Sequence, residues 1–382
     1  MNSLRIAAAL CAACLIIPVP SMAAGGGPPI CPHANEWTPQ VAAWAKGAPW
    51  IKVLYAHVIP AAKATGARVF YRPWDQRSGP DGDPGVGGRR MAREVLENLS
   101  RIPRESWPDA ISFQNEFNDV SPETARAFLD YYDTLREGGY RGLIIYGSYG
   151  PGGPTDITEW ERPHIRACVE KADGIETHEY WDLTIRHYDT WLAHRHVRMI
   201  ERYPWLATKP WFIGEFGSDG VNKGEDPQNR SGWRDRGKLT AEEYIRQIEI
   251  YRKGDPATGV VAPSPNVIAV FLYQQGAVSG WEHWEVLGTP VADYMKTTWK
   301  GLPAHIRGMA LDAEGRPLAE AVVTLAPGGV TARTDSQGRF WFFSLAPGTY
   351  RVSMTVGGGA SLQRSVTLRD GRMFELTMRP GQ

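Results

Sequence analysis

The sequence lacks the charge excess and the long apolar runs that mark several common classes of protein. Lys and Arg number 42, and Asp and Glu also number 42, so the formal net charge is zero. Proteins that bind nucleic acid normally carry an excess of basic residues, and we therefore expect that nucleic acid is not a partner of this protein. Beyond the N-terminal segment, no run is apolar enough to span a bilayer. Apolar residues make up 42% and charged residues 22%, which excludes wholesale disorder.

The N-terminal segment has the three parts of a secretory signal. Met1–Arg5 is positively charged, Ile6–Pro20 is apolar, and the small residues that end at Ala23 suit cleavage. A membrane anchor fits less well because the run is short and contains Pro18 and Pro20. We therefore predict a signal peptide over residues 1–23 and a secreted or periplasmic protein.

Cysteine is scarce in the remaining chain. Of the four cysteines, only Cys31 and Cys168 lie outside the predicted signal. In an oxidising compartment they could form a disulfide, or they could be two separate buried thiols. The sequence does not decide between these alternatives.

Residues 24–302 show strand-like apolar runs that alternate with helical patterns. Alternation of this kind predicts a parallel sheet with helices on both faces. A doubly wound sheet is the alternative, but the Gly-rich phosphate-binding turn that usually follows its first strand is missing. We therefore predict an α/β fold, a (β/α)8 TIM barrel, with a weakly marked first strand near Ile30–His33. The other seven predicted strands are Trp50–Tyr55, Arg68–Tyr71, Ala110–Phe113, Leu143–Tyr146, Gly174–His178, Trp211–Ile213 and Val267–Tyr273.

Residues 303–382 have a different character. Apolar residues alternate with period two, as at Tyr350, Val352 and Met354, and Gly and Pro turns separate short segments. This pattern predicts a small all-β sandwich. The order of turns and strands over Gly308–Leu325 and Thr334–Val352 resembles the carboxypeptidase regulatory-like domain, whose fold is a transthyretin-like sandwich. The resemblance implies an accessory module, which could also associate the protein with a cell surface or matrix.

Carboxylates follow the predicted strands of the barrel, where the active sites of TIM barrels lie. Asn115-Glu116 follows one strand, His178-Glu179-Tyr180 another, and Glu215 a third. Two glutamates that converge on one cavity are the minimum for glycoside hydrolysis, in which one acts as the acid and the other attacks or activates water. Along the strand, Glu179 alternates with His178 and Tyr180, so we expect it to point away from the cavity.

These motifs resemble those of clan A glycoside hydrolases, which are retaining (β/α)8 enzymes, and His178-Glu179-Tyr180 resembles the His-x-Tyr of family five. The resemblance implies that Glu116 is the acid/base and Glu215 the nucleophile. It also implies that Asn115 holds the sugar 2-hydroxyl and that Tyr180 bonds to Glu215. The clan commonly has a Trp at the end of strand eight, and this chain has Phe271-Leu-Tyr-Gln-Gln275 instead. Either Gln274 or Gln275 replaces that Trp, or Trp281 reaches in from the loop.

The catalytic and substrate-binding residues that we predict come from five of the barrel strands. They are Glu116 and Glu215 as catalytic residues, with Asn115, Tyr180, His178, Arg72, Trp74, Trp181, Gln274 and Trp281 binding substrate. We expect no cofactor, and no metal, because no second His or carboxylate stands at ligand spacing from His178.

Tryptophan is abundant, with 15 residues, and 14 of them lie between Trp37 and Trp299. Several fall in loops after predicted strands, where a sugar ring could stack on an indole: Trp74, Trp181, Trp233, Trp281 and Trp284. Trp191 and Trp211 stand where packing is expected. The concentration of Trp in the barrel favours sugar binding there and not in the sandwich.

Two functions from different classes fit the sequence. The first is a secreted retaining glycoside hydrolase that acts on a poly- or oligosaccharide. The second is a carbohydrate-binding or adhesion protein built on a catalytically silent barrel. The two glutamates favour the enzyme, and the absence of a Gly-x-Ser-x-Gly motif argues against an esterase. The loops Asp75–Arg90 and Gly217–Lys238 would decide between an open groove and a closed pocket.

Overall fold

The structure is a computed structural model that describes residues 26–74, 87–116, 118–186, 192–219, 232–235, 238–277, 280–355 and 361–380. The predicted signal peptide over residues 1–23 and Trp191 lie outside the described residues, as do most of the two loops expected to shape the cleft.

Eight parallel strands close into a barrel, which confirms the predicted fold class. Each strand pairs with the next, and the first pairs with the last through Ile30↔Val270 and His33↔Tyr273. This closure excludes the doubly wound alternative. The strands are β1 (Ile30–Ala34), β2 (Trp50–Val53), β3 (Arg68–Tyr71), β4 (Ala110–Ser112), β5 (Leu143–Tyr149), β6 (Gly174–Trp181), β7 (Trp211–Ser218) and β8 (Val267–Gln275).

Helices cover the outside of the barrel, and their ends carry the expected caps. The Ser121 hydroxyl accepts a hydrogen bond from the Thr124 N–H at 3.2 Å, and Thr240 and Glu243 form a capping box. None of the helices in the described ranges is long and apolar enough to cross a bilayer. The helices are α1 (Pro39–Trp44), α2 (Ile59–Lys63), α3 (Gly88–Ser100), α4 (Pro122–Glu137), α5 (Pro163–Lys171), α6 (Arg195–Arg202), α7 (Ala241–Lys253) and α8 (Pro290–Thr297).

The two cysteines are separate buried thiols. Cys31 lies in β1 and Cys168 in α5, and neither forms a disulfide. Of the two alternatives left open by the sequence, the structure therefore supports the unpaired one.

The inside of the barrel changes character along its axis. Apolar side chains from the strand starts, among them Trp50, Phe70, Phe212 and Phe271, form one cluster at the N-terminal end. Two residues later on the same strands, the inward positions become polar, as at Lys52 and Arg72, because side chains alternate between the faces of a strand. The polar layer lies toward the strand ends, where a TIM barrel places its active site.

The C-terminal segment forms two sheets that pack on each other. Their common core contains Ile306, Val323, Phe340, Val352 and Val366. The strands are β9 (Ala304–Ala310), β10 (Val322–Ala326), β11 (Val330–Arg333), β12 (Arg339–Leu345), β13 (Gly348–Thr355), β14 (Ser361–Leu368) and β15 (Met373–Met378). One sheet has the order β11-β10-β13-β14 and the other β12-β9-β15, so the predicted all-β sandwich is confirmed.

The sandwich closes the N-terminal mouth of the barrel. Trp341 and Met373 belong to the same apolar cluster as the first inward side chains of the barrel strands. Trp341 is 8% exposed and stacks on Phe343 with 5.6 Å between the ring centroids. Its indole therefore forms the barrel floor, which agrees with the expectation that sugar stacking is not a task of the sandwich.

A buried charge cluster joins the two parts. The Arg339 guanidinium donates to Asp173 at 2.9 Å, to Asp335 at 2.7 Å and to the Glu170 carbonyl at 2.8 Å. Burial would raise the pKa of Asp173, but the charges of Arg136, Arg339 and Arg307 lower it to about 2. Asp173 is therefore a carboxylate at neutral pH, and it depends on these guanidiniums.

We predict that Arg339→Met lowers the free energy of unfolding by about 3–5 kcal/mol, because the buried Asp173 and the half-buried Asp335 lose their shared partner. Urea unfolding monitored by Trp fluorescence measures this. The control is Arg333→Met, which removes a guanidinium from an exposed position and should cost under about 0.5 kcal/mol. Equal effects of the two substitutions would contradict the role of this cluster.

Candidate active site

Glutamates from two strands meet at the C-terminal end of the barrel. Glu116 follows β4, and Glu215 lies on β7 beside His178 of β6. The register between β6 and β7 shifts at this point, from Thr177↔Ile213 to His178↔Glu215. This β-bulge turns Glu215 toward His178, because the extra residue changes the face to which the next side chain points.

The two carboxylates are close neighbours. One oxygen of Glu116, one oxygen of Glu215 and a ring nitrogen of His178 all lie within 4.8 Å of one another. The Tyr180 hydroxyl donates a hydrogen bond of 2.8 Å to Glu215 Oε2. Glu116 is exposed and Glu215 is buried, so the two groups differ in their access to water.

His178 lies among three carboxylates. Its Nδ1 is 3.0 Å from Glu116 Oε1 and 3.5 Å from Glu215 Oε2, and its Nε2 is 3.5 Å from Glu176 Oε1. Burial would lower its pKa, but the Glu215 charge and the bonds to Glu116 and Glu176 raise the pKa to about 9. The ring is therefore an imidazolium at neutral pH, with a proton on each nitrogen.

A buried ion pair supports this histidine from below. Lys52 Nζ lies 3.0 Å from Glu176 Oε1 and donates 2.9 Å to the Gly214 carbonyl. Ser112 donates a hydrogen bond to the other oxygen of Glu176. Lys52 is also 4.0 Å from Glu215 Oε1, so its charge acts on both glutamates. All of these groups lie inside the barrel, where low local polarity strengthens the interaction.

The same charges keep Glu215 ionised. Burial would raise the pKa of Glu215, but the His178 charge, the contact with His33 and the Lys52 charge together hold it well below the ordinary value. Burial lowers the pKa of His33 to about 4, so this ring is neutral, with Nε2 3.5 Å from Glu215. Glu215 is consequently a carboxylate that an electrophile can approach at neutral pH.

Two backbone features fit these side chains together. A Cβ on Gly214 would stand 1.7 Å from Glu176 Oε1, so only glycine leaves room for the buried carboxylate. Glu116 has a φ of 49°, in the left-handed region that costs a non-glycine residue free energy. Strain of this kind is concentrated at functional sites.

An aromatic wall stands beside Glu215. Tyr273 lies edge to face with His33, Trp284 and Trp281, with centroid separations of 5.0, 5.3 and 5.4 Å. Trp284 also packs against Tyr180 at 5.5 Å. Tyr273 thus occupies the inward position at the end of β8, and Trp281 is half-buried at the rim behind it.

The structure brings most of the predicted substrate-binding residues to this cavity. The buried Oδ1 of Asn115 has no hydrogen-bond partner among the described residues, so it can still accept one. Arg72 is buried, and its guanidinium lies 5.0 Å from the ring centre of Trp74, which is 56% exposed at the rim. His178 and Tyr180 face inward, whereas Glu179 points to the helices, where it accepts bonds from His196 and Tyr251.

Two of the predicted substrate contacts are wrong. Trp181 is fully buried against Phe216 and Tyr244, on the helix side of the barrel, because it alternates with the inward Tyr180. Gln274 is also fully buried, and its amide accepts from Asn35 and donates 3.0 Å to the Trp281 carbonyl. Gln274 therefore holds the loop that carries Trp281 and does not reach a ligand.

The other tryptophans divide between rim and core. Trp233 stacks on Tyr244 at 5.0 Å and is 3% exposed, as is Trp284, so neither presents an open face to solvent. Trp211 is fully buried, as expected. Among the loop tryptophans considered for stacking, Trp74 and Trp281 keep an accessible surface.

The sequence showed no second His or carboxylate at metal-ligand spacing from His178, but the fold brings Glu116 and Glu215 within 4.8 Å of it. The electrostatics nevertheless oppose a cation. Lys52 already places a positive charge 4.0 Å from Glu215 Oε1, which disfavours a second cation there.

Sequence reasoning missed three inward residues of the site. They are His33, Lys52 and Glu176, which share the polar layer with Glu215. A lysine inside the apolar run Trp50–Val53, and a glutamate two positions before His178 on the same strand face, were the available signals.

A comparison with protein-family models identifies the C-terminal sandwich. Residues 305–379 match the family model of the carboxypeptidase regulatory-like domain, which confirms the resemblance for the sandwich. No curated protein matches the chain.

Among solved structures, a GH113 β-1,4-mannanase aligns over 72% of this chain and 99% of its own, with 12% identity and a TM-score of 0.47. A GH113 β-mannanase from Alicyclobacillus acidocaldarius aligns over 72% and 97%, with 14% identity and a TM-score of 0.46. A GH128 endo-β-1,3-glucanase from Amycolatopsis mediterranei aligns over 72% and 100%, with 14% identity and a TM-score of 0.44.

The buried ion pair makes a prediction that does not depend on function. Lys52→Met should lower the free energy of unfolding at pH 7 by about 3–5 kcal/mol, because Glu176 loses its partner. Burial would raise the pKa of Glu176, but Lys52, His178 and Ser112 lower it to about 2. The stability from this shift is present above the unfolded pKa, near 4.5, and is lost as the pH falls toward 2.

Urea unfolding between pH 2 and pH 7 tests this. Without Lys52, Glu176 becomes protonated at higher pH, so the cost of the substitution should shrink as the pH falls. The matched control is Lys46→Met, at an exposed position between α1 and β2, which should change the free energy of unfolding very little. A cost that does not change with pH would contradict the pairing.

Proposed function

We propose that the barrel is a glycoside hydrolase that cleaves O-glycosidic bonds of a poly- or oligosaccharide by a retaining double displacement. The observation that carries the proposal is the approach of the Glu116 and Glu215 carboxylate oxygens to within 4.8 Å. Retaining enzymes hold their two carboxyl groups about 5–5.5 Å apart, whereas inverting enzymes need about 6.5–9.5 Å to admit a water. The short separation favours direct attack by one carboxylate.

Glu215 is the nucleophile in this proposal. Its carboxylate attacks the anomeric carbon while the bond from that carbon to the leaving oxygen breaks, and Glu116 gives its proton to that oxygen. The low pKa of Glu215 keeps the attacking form populated. Tyr180 donates to Oε2 at 2.8 Å, which leaves Oε1 for the bond to carbon.

Glu116 acts first as acid and then as base. After the leaving group departs, Glu116 takes a proton from water, the water oxygen bonds to the anomeric carbon, and Glu215 is released. The exposed position of Glu116 suits this role, because the leaving group and the water arrive from the open side. His178, 3.0 Å from Glu116, holds the carboxylate toward Glu215.

The sugar would lie between the aromatic wall and the polar edge of the cavity. Tyr273 and Trp281 offer ring surface on one side, and Asn115 offers an unused acceptor to a sugar hydroxyl on the other. The positions of Asn115, Glu116, Tyr180 and Glu215 fit a clan A, family-five-like arrangement. We propose in addition that residues 1–23 export the protein, so that it meets its substrate outside the cytoplasm.

Glu215→Ala should reduce hydrolysis by at least 10⁴-fold, on the order of the loss when a catalytic nucleophile is removed. Azide should restore part of the activity, because it can occupy the space of the missing carboxylate. Reducing ends released from a panel of polysaccharides measure the rate. Glu282→Gln, an exposed carboxylate in the loop after β8, is the control and should remain active.

A silent carbohydrate-binding barrel gives a different result. It would bind glycans in pull-down or calorimetry without releasing reducing ends, and Glu116→Gln would change nothing. Full activity of Glu215→Ala would overturn the assignment of the nucleophile.

A further inference from the structure

A second cavity lies far from the candidate active site, where the barrel meets the sandwich. Its volume is about 320 Å³, near the lower end of the range for small-molecule sites. Arg68, the first residue of β3, lines it, whereas Arg72 follows the other end of that strand, on the side of the candidate active site. A strand rises about 3.3 Å per residue, so the two ends are roughly 13 Å apart along β3.

The walls of this cavity are strongly cationic. Four guanidiniums line it, from Arg68, Arg104 and Arg141 of the barrel and Arg307 of the sandwich. The carboxylates in the lining are those of Asp109 and Glu375. The protein as a whole has no net charge, so the local excess of two positive charges comes from the arrangement of the chain.

The lining carboxylates leave three of these four arginines without an ion pair among the described residues. Asp109 accepts a hydrogen bond of 2.8 Å from the Val69 N–H, and its carboxylate lies 3.3 Å from Lys63. Lys63 does not line the cavity, so the charge of Asp109 is paired outside it. Arg307 is the exception, because Glu375 lies 3.4 Å from it and Asp173 lies 3.5 Å from it. Among the residues that the structure describes, no carboxylate oxygen lies within ion-pair distance of Arg68, because Asp109 pairs with Lys63 and Glu375 with Arg307.

The guanidiniums are already held in place. Arg68 donates 3.0 Å to the Met373 carbonyl and lies over the Trp50 ring at 5.7 Å. Arg104 donates 3.1 Å to the Gly139 carbonyl and lies over Trp107 at 5.3 Å. Each bond uses one of the five N–H groups of an arginine, so the others remain for a ligand. A preorganised fork loses little entropy when an anion binds.

Burial adds a driving force for such a ligand. Burial lowers the pKa of Arg68, and the charges of Asp109 and Glu375 only partly oppose this effect. A desolvated guanidinium gains most from an anion whose several oxygens accept its planar N–H pairs.

We propose that this cavity, framed by Arg68, Arg104, Arg141 and Arg307, binds a small anion that carries two negative charges on multi-oxygen groups. Phosphate, sulfate and dicarboxylates share this chemistry. Because both the barrel and the sandwich contribute arginines, the bound anion would join the two parts. The site is independent of the proposed glycosidase.

Isothermal titration calorimetry with inorganic phosphate, sulfate and succinate, at constant ionic strength in a chloride background, tests the proposal on the full chain. We expect saturable 1:1 binding of at least one of these anions, and the anion that binds most tightly identifies the chemical group that the site prefers. Arg68→Gln and Arg141→Gln should each weaken binding at least tenfold. Arg141 is exposed at the rim, so its substitution tests the site even if Arg68→Gln does not fold.

The matched control is Arg166→Gln, which removes an exposed arginine that pairs with Glu170 on α5, and it should bind like the original protein. Equal affinity in Arg141→Gln and Arg166→Gln would overturn the proposal, as would the absence of saturable binding for all three anions.

Discussion

The imidazolium of His178 is the group on which the candidate site depends. Three carboxyl groups surround this ring, and the positive charge of the ring offsets the repulsion between them. Lys52 supplies the second cation of this cluster, at 3.0 Å from Glu176 and 4.0 Å from Glu215, so that two cations lie beside the two buried carboxylates. The balance lets Glu116 and Glu215 approach closely while Glu215 stays ionised, and the proposed chemistry needs both conditions.

The sandwich contributes to this arrangement from the opposite end of the barrel. Trp341 and Met373 fill the mouth that the barrel strands leave open, and Arg339 is buried among barrel carbonyls and Asp173. The floor and the polar layer are built on the same strands, two residues apart, as Trp50 and Lys52 illustrate. The sandwich is therefore part of the structural frame on which the charge cluster rests, as well as one wall of the arginine-lined cavity.

Alternation and strand ends allowed the sequence to predict the barrel, the sandwich and the positions of Glu116, His178 and Glu215. The buried partners were harder to predict. Lys52 and Glu176 are in strands whose neighbours are apolar, and only the closed barrel shows that they face each other. The prediction that Trp181 contacts substrate was wrong because its position near the end of β6 suggested a loop. The alternation that placed Glu179 outward applied to Trp181 as well. The prediction that Gln274 contacts substrate was wrong because the spacing of residues in the sequence does not reveal its hydrogen bonds to Asn35 and Trp281.

The central claim is that Glu116 and Glu215 stand close enough for direct attack on the anomeric carbon. The configuration of the first product, observed by proton NMR during hydrolysis before mutarotation, tests it most directly once a substrate is found. Two displacements at one carbon predict that the new hemiacetal has the anomeric configuration of the bond that was cleaved. A first product of opposite configuration would show single displacement by water and would contradict the account.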